Sequence, residues 1–404
     1  MKSFRSRRRN PMGPAIDFDV AVIGGGIMGC STALNLAGGG MRTVLLERRG
    51  LCMEASGVNA GTLTHRTGPV SMQPFYTRSI AMWKNASQWL GDDVGFRERG
   101  GLTVAFNEKE AVRATQDFKL RKQQEVEIEL IDGDRAREIE PNLSKHAVLA
   151  SHFPRDAYAN SSRTGYAFQK ALKSCGVLIM TNSEVQGFES GDGGYCIRTS
   201  TGQVTAKRIV ISSGAWVRKV VAMLGYQFTD AVAVRVNMMS VTERMPKLFS
   251  TLITHANSGL TLKQPDNGTV LIGGGWQGRG DPYTGQTDLV RENVTTNFRL
   301  AHSVFPGIEA TRLVRTWLGF EVRLPGDEPM AGPLPGISNA FLIGGFQSGW
   351  TGGPYIGRLM ADLMLGRDPE LPLFDPSHAF RRASVQLNTP NEAADELSVK
   401  DPIH

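Results

Sequence analysis

The first apolar run of the chain, residues 19–23 (DVAVI), is short, β-branched and stops at Gly24. That pattern predicts a buried strand. From residue 28 to 37 the period changes, and Ala33, Leu34 and Leu36 fall where one face of a helix meets a sheet. Thr43–Leu46 (TVLL) reads as a second strand, closed by Glu47. Strand, helix and strand within about 30 residues form the crossover unit of a parallel sheet.

Further along, residues 73–91 predict one long helix carrying Phe75, Ile80, Met82, Trp83, Trp89 and Leu90. Residues 102–106 read as a strand, 108–124 as a charged surface helix, 161–175 as a helix and 177–180 as a strand. Short strands near 184–188, 195–200 and 204–211 are separated by glycine turns at 191–194 and 202. Residues 231–244 and 269–273 are strand-like and 287–304 helical. A last strand, 340–343, runs into a Gly-rich turn and a helix near 354–365. Past Arg367 the chain is Pro-rich and polar, as in a surface-hugging tail.

Composition narrows the class. The chain has 404 residues, 41% hydrophobic and 21% charged, which suits a globular enzyme and excludes a disordered module. The net charge of +6 suggests a nucleic-acid partner until it is mapped. Five of those charges, Lys2, Arg5, Arg7, Arg8 and Arg9, lie in the first ten residues, and the remainder carries about +1. The basic run is terminal and lacks interleaved aromatics, so a nucleic-acid partner is not expected. Four cysteines without a C-x-x-C pair give no zinc or dithiol pattern, so no metal site is expected and a reducing cytoplasm is. No apolar run reaches the roughly 18–20 residues of a membrane span. Glycine stands out, with 46 residues, and its clusters carry the functional signal.

The strongest motif is Gly24-x-Gly26-x-x-Gly29 within VAVIGGGIMGCSTALNLA. It follows a strand, opens a helix and meets Glu47 at the end of the next strand, the context that a dinucleotide fingerprint requires. Gly24 permits the tight turn, Gly26 lets backbone approach a pyrophosphate at a helix N-terminus, and Gly29 allows close helix–strand packing. Glu47 suits ribose hydroxyls and disfavours a 2′-phosphate. FAD and NAD both satisfy this motif. A small-residue stretch directly after Glu47, RRGLCMEASGVNAGTLTHRTG, and a distant one, GISNAFLIGGFQSGWTGGPYIGRLMA, bring further backbone close to a large ligand.

Together these three segments resemble the D-amino-acid oxidase, sarcosine oxidase and glycine oxidase family of flavoproteins, over about residues 18–382. In texture the chain is similar to opine oxidase and D-hydroxyproline dehydrogenase β subunits. The resemblance implies an α/β (α+β overall) architecture. A Rossmann-like FAD-binding domain would be assembled from 17–72, 145–225 and 326–382. A β-rich substrate domain with a mostly antiparallel sheet would comprise 73–144 and 226–325, with a disordered basic leader at 1–16 and a tail at 383–404. It implies cofactor contacts at Gly24, Gly26, Ile27, Met28, Gly29, Glu47, Arg48, Ser56, Asn59, Ala60, Gly61, Val185, Ser213, Gly214, Trp216, Gly319, Gly345, Gln347, Ser348, Gly349, Trp350 and Thr351. The helix near 354–365 would face the charge that a reduced flavin develops. Non-covalent FAD is expected, because no Cys follows Cys196 and Asn59 stands where some relatives carry a linking His.

The implied reaction is hydride transfer from a C–H beside an amine to flavin N5, giving an imine that hydrolyses, with oxygen or a partner subunit taking the electrons. The protein must orient the substrate, keep its amine unprotonated and exclude water. Candidate lining residues are His65, Arg66, Trp276, Gln277, Gln347 and Trp350, with Tyr76, Tyr158, Tyr226 and Tyr283 behind them. The chain departs from the family at Glu321, which aligns with the Arg that clamps the substrate carboxylate. Either Arg66, Arg315 or Arg323 then clamps, or the substrate presents a cation there, unless Glu321 turns away to pair with Arg315 or Arg323. A dehydrogenase subunit of a hetero-oligomer and a 2-hydroxy-acid oxidoreductase on the same fold are the competing readings.

Overall fold

A computed structural model describes residues 17–191, 193–228, 232–324 and 327–381. The expected leader at 1–16 and tail at 383–404 lie outside the described residues. Five parallel strands form the centre of the first sheet, in the order Leu178–Met180, Thr43–Leu46, Phe18–Ile23, Gly202–Ile211, Ala340–Gly344. The hairpin Val185–Gly191 and Gly194–Thr199 extends it through the first half of the long strand Gly202–Ile211, and Met330–Pro333 pairs antiparallel with the last strand.

Period-2 alternation decides what each face of this sheet buries. Val20 and Val22 point into a core with the helices Ile27–Gly38, Ser161–Ser174 and Gly349–Met364. Ala21 and Ile23 point the other way, against Ile197, Val204 and the helix Val217–Ala222. Ala33 and Leu36 are fully buried, as the helical spacing requires.

The second sheet also has eight strands: Leu313–Arg323, Ala233–Arg244, Thr269–Gln277, Thr261–Lys263, Leu252–His255, Gly101–Ala105, Leu149–Phe153 and Glu129–Asp132, in that order. It is antiparallel except where Leu252–His255 runs parallel to Gly101–Ala105. The helices Gly133–Ile139 and Arg291–Val304 contribute Ala136, Ala301 and Val304 to the core on this sheet. Leu149–Phe153 is hydrogen-bonded into this sheet, although it lies past the boundary expected at 145.

Three element expectations need correction. The helix expected over 73–91 breaks at Asn85 into Gln73–Lys84 and Ala86–Trp89, because Asn85 leaves helical geometry (φ −101°, ψ 23°). The helix expected over 287–304 starts at Arg291, and Thr287–Asp288 instead pairs with Arg279–Gly280. The final helix starts at Gly349, five residues before Pro354, so Trp350 and Thr351 belong to its first turn and not to the preceding loop.

Candidate active site

The strand Phe18–Ile23 ends in Gly24 at φ +106°, where a Cβ would sit 2.5 Å from the Ser212 carbonyl oxygen. The next helix begins at Ile27 with Gly26 as an N-cap that offers no side-chain acceptor. The positive dipole end of this helix makes an anion site. Gly29 lies behind this turn: a Cβ there would meet the Gly24 carbonyl oxygen at 2.0 Å, so it serves packing and does not line the cavity.

Glu47 leaves the end of the strand Thr43–Leu46 and accepts N–H bonds from Gly25 and Arg49, both at 2.7 Å. Burial pushes its carboxyl above the ordinary value, and those two N–H groups oppose the push. Arg48 pairs with Glu54 and lies over the Trp216 ring at 3.7 Å. Its Nε is buried with no partner among the described residues. Ser56 accepts the Ile27 N–H at 3.0 Å, tying the loop after Glu47 to the helix start. Asn59 folds back onto this loop, donating to the Ser56 carbonyl at 2.8 Å and accepting the Gly61 N–H at 2.6 Å.

These residues open onto one cavity of about 600 Å³, well within the range of roughly 300–1,000 Å³ typical of ligand sites. Gly24, Gly26, Ile27, Met28, Glu47, Arg48, Ser56, Asn59, Ala60, Val185, Ser213, Gly214 and Trp216 line one part. Gly345, Gln347, Ser348, Gly349, Trp350 and Thr351 line another, and Gly319, Glu321, Trp276, Gln277 and Arg66 a third. The buried Ser213 Oγ, Trp350 Nε1 and Arg323 Nε in its walls have no partner among the described residues, nor does Arg48 Nε. Buried polar atoms of this kind call for a partner that the fold does not supply.

Residues 345–348 carry the chain from the last strand to the final helix, with Gly345 and Ser348 at positive φ. Tyr76 of the helix Gln73–Lys84, outside the cavity, donates to the Gln347 carbonyl at 2.8 Å, and Thr67 in the cavity wall meets the Ser348 hydroxyl at 2.6 Å, so both brace this turn. Trp350 packs on Trp83 at 4.7 Å.

Several expected site residues have other roles. His65 lies outside the cavity: its Nε2 meets Thr77 Oγ1 at 3.1 Å and its N–H donates to Asp156 at 3.1 Å. Gly61 also lies outside and serves a turn, at φ +73° beside the Ala159 carbonyl. Arg66 lines the cavity but is committed to a buried ion pair with Asp156 at 2.5 Å, and it donates to Thr254 at 2.9 Å. Burial lowers the Arg66 pKa. It pushes Asp156 up, but the Arg66 charge and nearby hydrogen bonds hold that carboxyl below its ordinary value. Arg315 is exposed and lies off the cavity. Arg323 lines it and pairs with Asp327 at 3.2 Å. Glu321 does not turn away: it faces the cavity and accepts from Asn237 Nδ2 at 2.6 Å.

Tyr158, Tyr226 and Tyr283 do not line the cavity. Sequence reasoning missed Arg235 and Asn237, which do. Their signal was the alternation of the strand Ala233–Arg244, which sets positions 235 and 237 on the face shared with 319 and 321.

A parallel crossover unit with a glycine turn, an acidic strand end and a second glycine turn on a remote strand defines a dinucleotide-binding protein that also carries a second, separate sheet. The chain belongs to the family of FAD-dependent oxidoreductases, whose model matches residues 19–363. It is similar to the glycine oxidase of Geobacillus kaustophilus (strain HTA426), 25% identical over 356 residues, covering 86% of this chain and 93% of that one. It is also similar to an opine oxidase subunit of Agrobacterium tumefaciens (strain Ach5), 24% identical over 343 residues, covering 81% and 88%. In fold it matches the solved L-proline dehydrogenase from P. horikoshii, with a TM-score of 0.82 at 22% identity over 89% of this chain and 97% of that one. Among the described residues no helix is long and apolar enough to cross a membrane.

Proposed function

We propose that this chain oxidises a C–N bond in a secondary amine, imino acid or amino acid. The observation that carries this is the single cavity joining the residue 24–29 turn and Glu47 to residues 345–351 and to a wall of the second sheet. FAD, when bound, supplies the acceptor for the hydride of the C–H beside the substrate nitrogen. The residues present fit it. Glu47 would take ribose hydroxyls, the start of the helix Ile27–Gly38 the pyrophosphate, Val185 the adenine, and residues 56–60 and 345–351 the ring system. The four orphaned buried donors in the cavity wall would find acceptors there. We read attachment as non-covalent, since Asn59 is spent on its own loop.

The chain's own contribution is placement and dryness. Trp276 is fixed by its indole N–H on Thr296 at 2.8 Å, and Trp350 by its stack on Trp83, so both offer firm apolar walls to a substrate. Oxygen or a redox partner accepts the electrons; the similarity to one subunit of an opine oxidase supports the partner reading. Four unpaired cysteines support a cytoplasmic location. The test is product analysis of the purified chain with amines and with matched 2-hydroxy acids. Carbonyl product from amines is expected, with peroxide if oxygen is the acceptor. Carbonyl from hydroxy acids alone would assign the other reaction.

A further inference from the structure

Nine charged side chains among the described residues line the cavity, and most have a charged or backbone partner. Glu54 holds Arg48 and Arg49, Glu184 holds Lys219 at 2.7 Å, Asp156 holds Arg66, and Asp327 holds Arg323. Glu47 is taken by two backbone N–H groups. Two remain without a charged partner among the described residues. Glu321, half-buried, has only the neutral Asn237 amide. Arg235, exposed, makes no hydrogen bond or ion pair among the described residues.

These two are directly opposed on the antiparallel strands Ala233–Arg244 and Leu313–Arg323. Opposed residues have Cβ atoms about 4.5–5.5 Å apart, so an ion pair is within easy reach. The carboxylate instead turns along the diagonal to Asn237, whose own cross-strand partner is Gly319 and offers no side chain in the way. The wall therefore presents one anion and one cation side by side, each open to a ligand.

We propose that Arg235 and Glu321 form a dipolar recognition pair for a substrate that carries a carboxylate and a second cationic group besides the nitrogen that is oxidised. Arg235 takes the carboxylate with its planar fork. Glu321 takes an ammonium or guanidinium. That cation is not the reacting nitrogen: an ion pair with Glu321 would hold the nitrogen protonated, and a protonated amine has no lone pair to assist loss of the adjacent hydride. The substrate class is a basic amino acid or its N-alkylated derivative. This inference rests on the C–N reading above.

The test uses the FAD-loaded enzyme and a matched panel: arginine and N-methylarginine, their neutral isosteres citrulline and N-methylcitrulline, and the corresponding carboxamides. The wild type is expected to favour the basic over the neutral member at least tenfold in kcat/KM. E321Q should remove that preference, chiefly through KM. R235Q should raise KM about tenfold for the carboxylates and much less for the carboxamides, whose neutral carbonyl loses only an uncharged hydrogen bond. Retained flavin absorbance in both variants shows that they are folded. Equal use of arginine and citrulline forms by the wild type, or an unchanged preference in E321Q, overturns the pair. If no panel member reduces the flavin while 2-hydroxy acids do, the C–N reading fails. Perturbation of the flavin spectrum by arginine against citrulline then decides the pair by binding alone.

Discussion

At the scale of single residues, Glu47 was legible because its role needs only a strand end and a spacing. Replacing it tests that role: E47Q should raise the Kd for FAD about 10- to 100-fold, since hydrogen bonds to a charged group contribute roughly 1.5–3 kcal/mol. Fluorescence titration of the apoprotein measures this, and an unchanged Kd would remove Glu47 from the site. His65 was misread, and the ion pair that commits Arg66 within the cavity wall went unseen, because Asp156, which occupies both, lies about ninety residues away in sequence. Lys263 escaped notice for a similar reason. Its ammonium is buried, donates to the Ala60 carbonyl beside the cavity and lies 4.8 Å from the Tyr158 ring centre. Burial lowers its pKa from 10.5 to about 7. Between those values the unfolded chain holds a proton that the folded chain has released, so this lysine makes stability rise with pH across that window. Thermal midpoints from pH 7 to 10 should show that rise in the wild type and a flatter profile in K263M. Parallel profiles would contradict the buried, deprotonating lysine.

At the scale of elements, the crossover unit could be read almost residue by residue, since apolar runs, glycines and Glu47 all agreed. Thr43–Leu46 fell on its expected bounds. The start of the final helix was hidden by Pro354, which reads as a first-turn residue but lies in the sixth position of the helix Gly349–Met364. That helix packs on Ile27–Gly38 through Gly357, where a Cβ would lie 2.6 Å from Ser31 Cβ and 2.7 Å from the Met28 carbonyl oxygen. G357A should therefore cost about 1–3 kcal/mol by overpacking. Because residues 349–351 line the cavity, it should also weaken FAD binding. Thermal unfolding with and without added FAD reads both effects, and a variant as stable as the parent would show that the helices part without strain.

At the scale of the whole molecule, the first sheet follows from local crossovers, whereas the second depends on remote pairings. Gly101–Ala105 lies beside Leu252–His255, about 150 residues further on, and no local pattern announces that register. The same distance concealed the active-site wall. Glu321 stood out as a departure from its family, but Arg235 and Asn237 became visible only when their strand was paired with it. One cavity spans both sheets and, on the function proposed above, serves the oxidation of a C–N bond. Anaerobic mixing of the FAD-loaded chain with N-methylated and cyclic amino acids, against matched 2-hydroxy acids, tests it directly. The visible flavin absorbance is expected to bleach with at least one amine and to persist with the hydroxy acids. Bleaching by hydroxy acids alone would contradict it.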